Sequence, residues 1–360
     1  MQIIRATRDA ILRPLQIVSG IVERRHTLPI LANILIRKQG EAISFLGTDI
    51  EIQIQTTASL GAGTEDAATT VSARKLLDIL RALPDEAEVS MSLSGKRLTV
   101  SAAKSRFALQ TLGAEEFPTV ALAESFGASF SLPQKTLRYL FAMVHFAMAQ
   151  QDIRYYLNGV LFVVDGTMLK VVATDGHRLA YCAADTEVEH PRHEVIIPRK
   201  TVIELQRLLS DSDEPVAIDV ATNQVRFRFG EVELLSKLVE GKFPDYQRVI
   251  PTGYNRSAQA DRETLARALQ RAAILTSEKF KGVRFSLDEG GLKVQATNTE
   301  QEEALEEIEL AYEGEPLEVG FNVGYLLDAL NNLKSDRVRL EFGDANSSAL
   351  VTVPGDESFK

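Results

Sequence analysis

Residues 150–179, QQDIRYYLNGVLFVVDGTMLKVVATDGHRL, carry the pattern on which the reading of the fold turns. The apolar run 157–164 reads as a buried strand, Asp165-Gly166 as a turn, and 168–173 as the returning strand of a β-hairpin. Thr174-Asp175-Gly176-His177-Arg178 then leaves the sheet and exposes polar groups beside Leu179. Arg154 and the adjacent Tyr155 and Tyr156 form the entrance to the hairpin. A polar, aromatic entrance and a charged exit suit either a catalytic loop or a docking pocket.

Parts of this stretch recur on both sides of it. AISFLGTDIE places Thr48-Asp49 after a strand, MLKVVATDGHRLA places Thr174-Asp175 in the same setting, and GLKVQATNTEQEEA gives Thr297-Asn298, at spacings of 126 and 123 residues. A helical signature follows each: ARKLLDILRAL from Ala73, PRKTVIELQRLL from Pro198 and NVGYLLDALNNL from Asn322. Opening helices repeat as well, as TRDAILRPLQIVSG from Thr7, LPQKTLRYLFAMVHF from Leu132 and DRETLARALQRAAIL from Asp261. Phe117-Pro118 matches Phe243-Pro244. Matches in one order at one period mean homologous domains, and the period is too long for solenoid units. Each copy reads helix, strands, helix, strands, so the expected class is α+β on antiparallel sheet. Turn-forming residues near 124–129 and 251–257 place the domains at 1–126, 127–253 and 254–360.

Length and composition agree with this organisation. The 360 residues allow several cores, and 45% hydrophobic with 25% charged residues is the balance of an ordinary globular chain. A net charge of −10 repels DNA and anionic membranes on average, although a basic strip within an acidic body still binds phosphate. The lone Cys182 excludes an intrachain disulfide and a multi-cysteine metal cage. The N-terminus MQIIRATRDAILRPL has no long apolar core, so neither a signal peptide nor a membrane span is expected, and the expected compartment is the cytoplasm.

The helices carry a functional clue. Ile11, Leu15, Val18 and Val22 make one apolar face, with Arg13 and Arg24 opposite and Pro14 predicting a kink or an early break. Arg74 and Arg81 lie opposite Leu76, Leu77, Leu80 and Leu83. The middle copy offers Arg199, Lys200 and Arg207, whereas the third reads Gly324-Tyr325 in place of the basic pair. Such cations are either a sequence-blind phosphate-facing surface or plain solvated faces. The acidic run Glu300, Glu302, Glu303, Glu306, Glu307 and Glu309 is a solvated edge or a match for cations of a partner such as Lys104 and Arg106 beside Phe107.

A catalytic reading finds little support. No Gly-x-Ser-x-Gly elbow, His-Glu-x-x-His pair or P-loop is present. The five histidines are scattered, and only the middle copy has a histidine at the position of His177. No metal, cofactor or catalytic group is expected.

TLPILANILI (27–36), QDIRYYLNG (151–159), ATDGHRLA (173–180), IPRK (197–200), KLVEGKFPDYQRVIP (237–251) and FNVGYLLDAL (321–330) together resemble the β sliding clamps, processivity subunits of bacterial DNA polymerase III. The resemblance covers nearly the whole chain. It implies the DNA-clamp fold: three clamp-type domains per chain and a head-to-tail homodimer closing a six-domain ring around duplex DNA. Helices would line the hole and antiparallel sheets the outer wall. It also implies a non-enzymatic tether for the replicative polymerase. Arg25, Gln151, Tyr155, Tyr156, Arg199 and Lys200 would contact DNA; the tyrosines either stack on bases of a single-stranded end or serve as core aromatics.

The same resemblance implies a pocket for Gln-Leu-x-Leu-Phe-like peptides of the polymerase, the clamp loader and other partners. Leu157, Thr174, Gly176, His177, Arg178 and Leu179 would line it, with Pro244, Arg248, Val249, Asn322, Tyr325 and Ser348. At the subunit joint, Ile274 and Leu275 would meet Phe107 and Leu109 of the other chain, while Lys75 would pair with Glu302 and Glu303. Members of the family usually end in a segment resembling Tyr-Val-x-Met-Pro-Met-Arg-Leu that walls the pocket. This sequence stops at Glu357-Ser358-Phe359-Lys360, so that wall is expected to be missing, by truncation or in the protein itself. Two rivals remain: a nucleic-acid enzyme using Asp175 and His177, and a scaffold that never surrounds DNA.

Overall fold

The structure, a computed structural model, describes residues 1–23, 28–277 and 279–360. Among the described residues six α-helices fall where the apolar periodicity puts them: α1 (Arg8–Ser19), α2 (Ala73–Ala82), α3 (Gln134–Val144), α4 (Arg199–Leu208), α5 (Arg262–Ala273) and α6 (Val323–Asn332). Local chemistry starts several of them. Ser72 accepts a hydrogen bond from the Lys75 N–H, Asp261 from the Thr264 N–H and Asn322 from the Gly324 N–H, each serving as an N-cap. Ile11, Leu15 and Val18 are buried as one stripe of α1. Of the kink or early break expected at Pro14, the break does not occur. The helix runs through it, because the pyrrolidine ring is buried on the same stripe and its packing offsets the lost hydrogen bond.

Two compact units make up the chain. One comprises Met1–Arg138 with Lys200–Glu240, the other Tyr139–Arg199 with Gly241–Lys360. The middle repeat thus contributes to both, because its strands pair outward with those of its neighbours. In the first unit a twelve-stranded sheet, antiparallel throughout its pairings, runs across two repeats. Its seam is the pairing of Ile52–Ser59 with Val232–Lys237, with Ile54 opposite Leu234. The second unit has the strand pair Gly159–Thr174 and Leu179–Pro198, and two four-stranded sheets from the third repeat. A corresponding seam exists there. The backbone at 358–360 runs antiparallel to 181–183, with Lys360 and Tyr181 exchanging N–H···O bonds of 3.0 and 2.7 Å.

The hairpin reading of 157–173 needs correction. Gly159–Thr174 is one strand of 16 residues, and the chain reverses only at 175–178. Asp165-Gly166 marks a bulge: the register shifts between Val164 and Met168, and Gly166 has φ +60°. A positive-φ glycine supports a bulge as well as a turn. Here the longer apolar complement lies downstream, in Leu179–Pro198, and pairing with it keeps the strand going.

Candidate functional site

The Thr-Asp turns of the first two repeats are the same object. Thr48 Oγ1 donates to the Ile52 carbonyl (2.8 Å) and accepts from the Ile50 N–H (3.0 Å). Thr174 Oγ1 donates to the Arg178 carbonyl (2.6 Å) and accepts from the Gly176 N–H (3.1 Å). Asp49 Oδ1 accepts the N–H groups of Glu51 and Ile52, and Asp175 Oδ1 those of His177 and Arg178. An Asx-type side chain followed by a positive-φ residue builds this turn, with Ile50 at φ 72° and Gly176 at φ 89°.

Around the second turn some of the sequence-derived pocket residues, Arg178, His177 and Tyr325, come together. Arg178 reaches Asp175 through Nε (3.2 Å) and Asp328 on α6 through Nη1 (2.5 Å). Its guanidinium lies 4.5 Å from the centre of the Tyr325 ring, and His177 stacks on the same ring at 6.3 Å. Asn322 caps the helix that presents Tyr325. Leu157 is buried just before the strand, Thr174 is buried at the turn, and Leu179 is half-buried after it. Pro244, Arg248 and Val249 are exposed on the loop whose Tyr246 stacks on Tyr181. Arg248 pairs with Asp245 at 3.0 Å. Ser348 is exposed, and its carbonyl accepts the Tyr254 hydroxyl, a link within the third repeat. The antiparallel direction of 358–360 points the chain end at Leu179.

The entrance loop is tied to this turn by Arg154, which the sequence reading set at the entrance without giving it a role. Arg154 grips Asp152 through Nε (3.1 Å) and Nη2 (2.9 Å) and donates from Nη2 to the Asp175 carbonyl (3.2 Å). Hydrogen bonds from Arg154, side chain and backbone, hold the Asp152 carboxyl down at about 2. A Cβ on Gly176 would lie 3.0 Å from Arg154 Nη1 and press on that movable guanidinium, while the φ of 89° is what favours glycine there. The signal was present as a glycine where the first repeat tolerates Ile50.

Of the DNA-facing candidates, Gln151 is exposed with φ 55°, and Tyr155 is 58% exposed and meets Tyr156 edge-on at 6.0 Å. Arg199 is half-buried and donates to the Met148 carbonyl (3.3 Å). Arg25 lies outside the described residues. Lys200 is already engaged: its ammonium is hydrogen-bonded by Asp49 and by Glu23 (2.9 Å). Burial pulls its pKa down, but those two carboxylates outweigh burial and hold it above the usual lysine value. On the helices, Arg74 pairs with Asp78 at 3.6 Å. Arg13, Arg81 and Arg138 are exposed; Arg138 was not singled out from the sequence.

At the far ends of the repeats the joint candidates sit on open surfaces. Ile274, at the C-terminus of α5, is 76% exposed, and Leu275 beside it is half-buried. Glu303–Ile308 is an edge strand paired only with Gly291–Thr297. Ser105–Leu112, with Phe107 and Leu109, pairs with Arg97–Ala102 and touches Ala67–Ser72 only at its end. Lys75 is exposed in the first turn of α2, and the exposed Glu302 accepts from the Asn298 amide (2.6 Å). Among the described residues no group of three or more His, Cys, Asp and Glu could hold a metal ion, and no helix is long and apolar enough to cross a membrane.

Comparison with known proteins accounts for this arrangement. Residues 1–121, 131–245 and 247–360 match the N-terminal, central and C-terminal domain models of the DNA polymerase III beta subunit. The chain is 48% identical over 352 residues to the beta sliding clamp of Pseudomonas putida, covering 97% of this chain and 95% of that one. It is 45% identical over 351 residues to that of Escherichia coli K12, covering 98% and 96%. The crystal structure of a Pseudomonas aeruginosa sliding clamp bound to griselimycin superposes with a TM-score of 0.96 at 46% identity, covering 99% of this chain and 97% of that one. Three repeats, the Thr-Asp turn shared by the first two and these matches across the full length place the chain in the DNA polymerase III beta subunit, or beta sliding clamp, family.

Proposed function

We propose that two copies of this chain close head to tail into a ring of six domains, divided near 126 and 253, that encircles duplex DNA and tethers the replicative polymerase. The observation that carries the ring is the seam. In the first unit the strand after the Thr48-Asp49 turn, Ile52–Ser59, pairs with the last strand of the next repeat, Val232–Lys237. In the second, the strand after Thr174-Asp175 pairs with 358–360. The third repeat has the same strand after Thr297-Asn298, Glu303–Ile308, with an open edge. The first repeat has the open last strand, Ser105–Leu112. Joining those two edges between copies is a heterologous contact that closes after two chains. Lys75 of one copy then stands near Glu302 and Glu303 of the other, as Lys200 stands by Asp49. Ile274 and Leu275 supply the apolar contact with Phe107 and Leu109.

The ring's task is binding and carries no chemical turnover. Gln151, Tyr155, Tyr156 and Arg199 face the duplex without reading bases, and Lys200 meets a phosphate only by leaving Glu23. The pocket around His177, Leu179 and Tyr325 takes a Gln-Leu-x-Leu-Phe-like segment of the polymerase or clamp loader, its apolar side chains in the cleft and a few polar groups fixing direction. Cytoplasmic replication is the setting.

A polarisation titration with labelled Gln-Leu-Ser-Leu-Phe tests the pocket. Saturable binding near the micromolar range, about 8 kcal/mol, is expected, and Leu179→Asp should remove it. Silence both for this chain and after appending Tyr-Val-Val-Met-Pro-Met-Arg-Leu sinks the pocket assignment.

A further inference from the structure

The two seams differ in where their cation comes from. Matching the buried positions of α2, α4 and α6 makes Lys75, Lys200 and Tyr325 counterparts: Leu76, Leu77 and Leu80 align with Thr201, Val202 and Leu205, and Ala73 and Leu80 with Val323 and Leu330. Matching the turns makes Ile52 the counterpart of Arg178, since each gives its carbonyl to the turn threonine. In the first unit Asp49 Oδ2 takes its cation from the helix, as Lys200, and the turn position is the buried Ile52. In the second, Asp175 Oδ2 takes its cation from the turn itself, as Arg178 Nε, and the helix position is Tyr325. The second carboxylate on Lys200, Glu23, has the buried Ala149 as its counterpart when Ile11, Leu15 and Val18 are laid on Leu137, Phe141 and Val144.

One carboxylate oxygen is therefore neutralised at both seams by a different route. With the charge supplied from within the turn, the helix position is released from ion pairing and carries a half-exposed ring instead, braced by His177 and Arg178. We propose that this exchange, cation in the turn and aromatic ring on the helix, determines that the seam around Asp175 docks partner peptides while the seam around Asp49 stays sealed. Tyr325 and Arg178 act as one specificity-determining pair. The inference rests on the pocket reading given under Proposed function.

The test restores the sealed arrangement in the full-length chain with Tyr325→Lys, Arg178→Ile and the double variant. Each single change leaves a charge mismatch. Tyr325→Lys sets an ammonium against the Arg178 guanidinium, and Arg178→Ile strips the cation from Asp175. Each should lower the melting temperature by about 4 °C or more. The double variant should recover most of that loss, a non-additivity expected of groups sharing one partner. Peptide affinity should fall by roughly 20-fold or more in all three, an effect of about 1.8 kcal/mol. Additive melting losses, a double variant that does not fold, or a double variant that binds peptide like the parent would each overturn the proposal. If a single variant fails to fold, a folded double is itself the recovery. A parent chain that binds no peptide would remove the pocket reading instead, and the melting comparison would still decide whether the cation has been exchanged.

Discussion

Alanine at both Ile274 and Leu275 is expected to yield a folded monomer that no longer stays on circular DNA. Ile274 is 76% exposed and Leu275 half-buried, so within one chain their truncation removes little packing. In the proposed ring both would be buried against Phe107 and Leu109 of the other copy. Burying an aliphatic side chain stabilises by about 1.5–3 kcal/mol, so the pair contributes on the order of 3 kcal/mol per joint. A head-to-tail dimer has two such joints. The loss doubles to about 6 kcal/mol, or roughly four orders of magnitude in the dimer dissociation constant. Sedimentation velocity at micromolar concentration should show the parent as a dimer and the variant as a monomer with an unchanged circular dichroism spectrum. A variant that remains dimeric would place the joint elsewhere. The charged rim contributes far less: Lys75, Glu302 and Glu303 are exposed, and such pairs are worth about 0–1 kcal/mol.

The second large effect is expected at Asp49. This buried carboxylate accepts the Glu51 and Ile52 N–H groups (2.9 and 2.8 Å) and binds the Lys200 ammonium. Alanine removes the acceptor of both backbone N–H groups and leaves Lys200 with Glu23 and the Ile21 carbonyl. Two lost hydrogen bonds at about 1 kcal/mol each and a half-paired, partly buried cation together destabilise by roughly 3 kcal/mol. Asp49→Asn keeps an acceptor for the turn and loses only the charge, so it should cost about half as much. Urea melts of the two variants separate the turn from the ion pair. Equal losses would mean that the ion pair carries the whole effect, whereas an Asp49→Asn loss near zero would mean that Lys200 contributes nothing to the seam and would return it to the set of cations available for phosphate.

Which parts of this were legible in the sequence follows from the range of the interactions. The Thr-Asp turns close through hydrogen bonds within four residues, so Thr48, Thr174 and their neighbours announced themselves three times over. Helix faces are local too, and the stripe of Ile11, Leu15 and Val18 was readable even with Pro14 in the middle of it. Seams are not local. Nothing in Ile52–Ser59 names Val232–Lys237 as its partner, and the pairing decides how the chain divides into units. The same distance effect hid the bulge at Gly166, whose strand continues because of residues 179–198. At the candidate site, the basic pair Arg199-Lys200 was visible as charge, but not that Asp49 and Glu23 already hold Lys200. Arg154 was visible as a residue, but not as the link between the entrance loop and Asp175. The peptide pocket and subunit joint came from family resemblance, since no spacing of His177, Tyr325 or Ile274 alone implies a partner.

The central claim is encirclement, and retention on a closed DNA tests it most directly. Labelled chain is loaded with a bacterial clamp loader onto a singly nicked plasmid, freed of unbound protein by gel filtration, and then followed after one cut linearises the circle. A ring should remain with the circle through high salt, which weakens phosphate contacts, and should slide off the cut ends. Protein that survives on linear DNA as it does on circular DNA, or that leaves both equally at high salt, would be bound to the surface of the duplex, and the ring would be refuted.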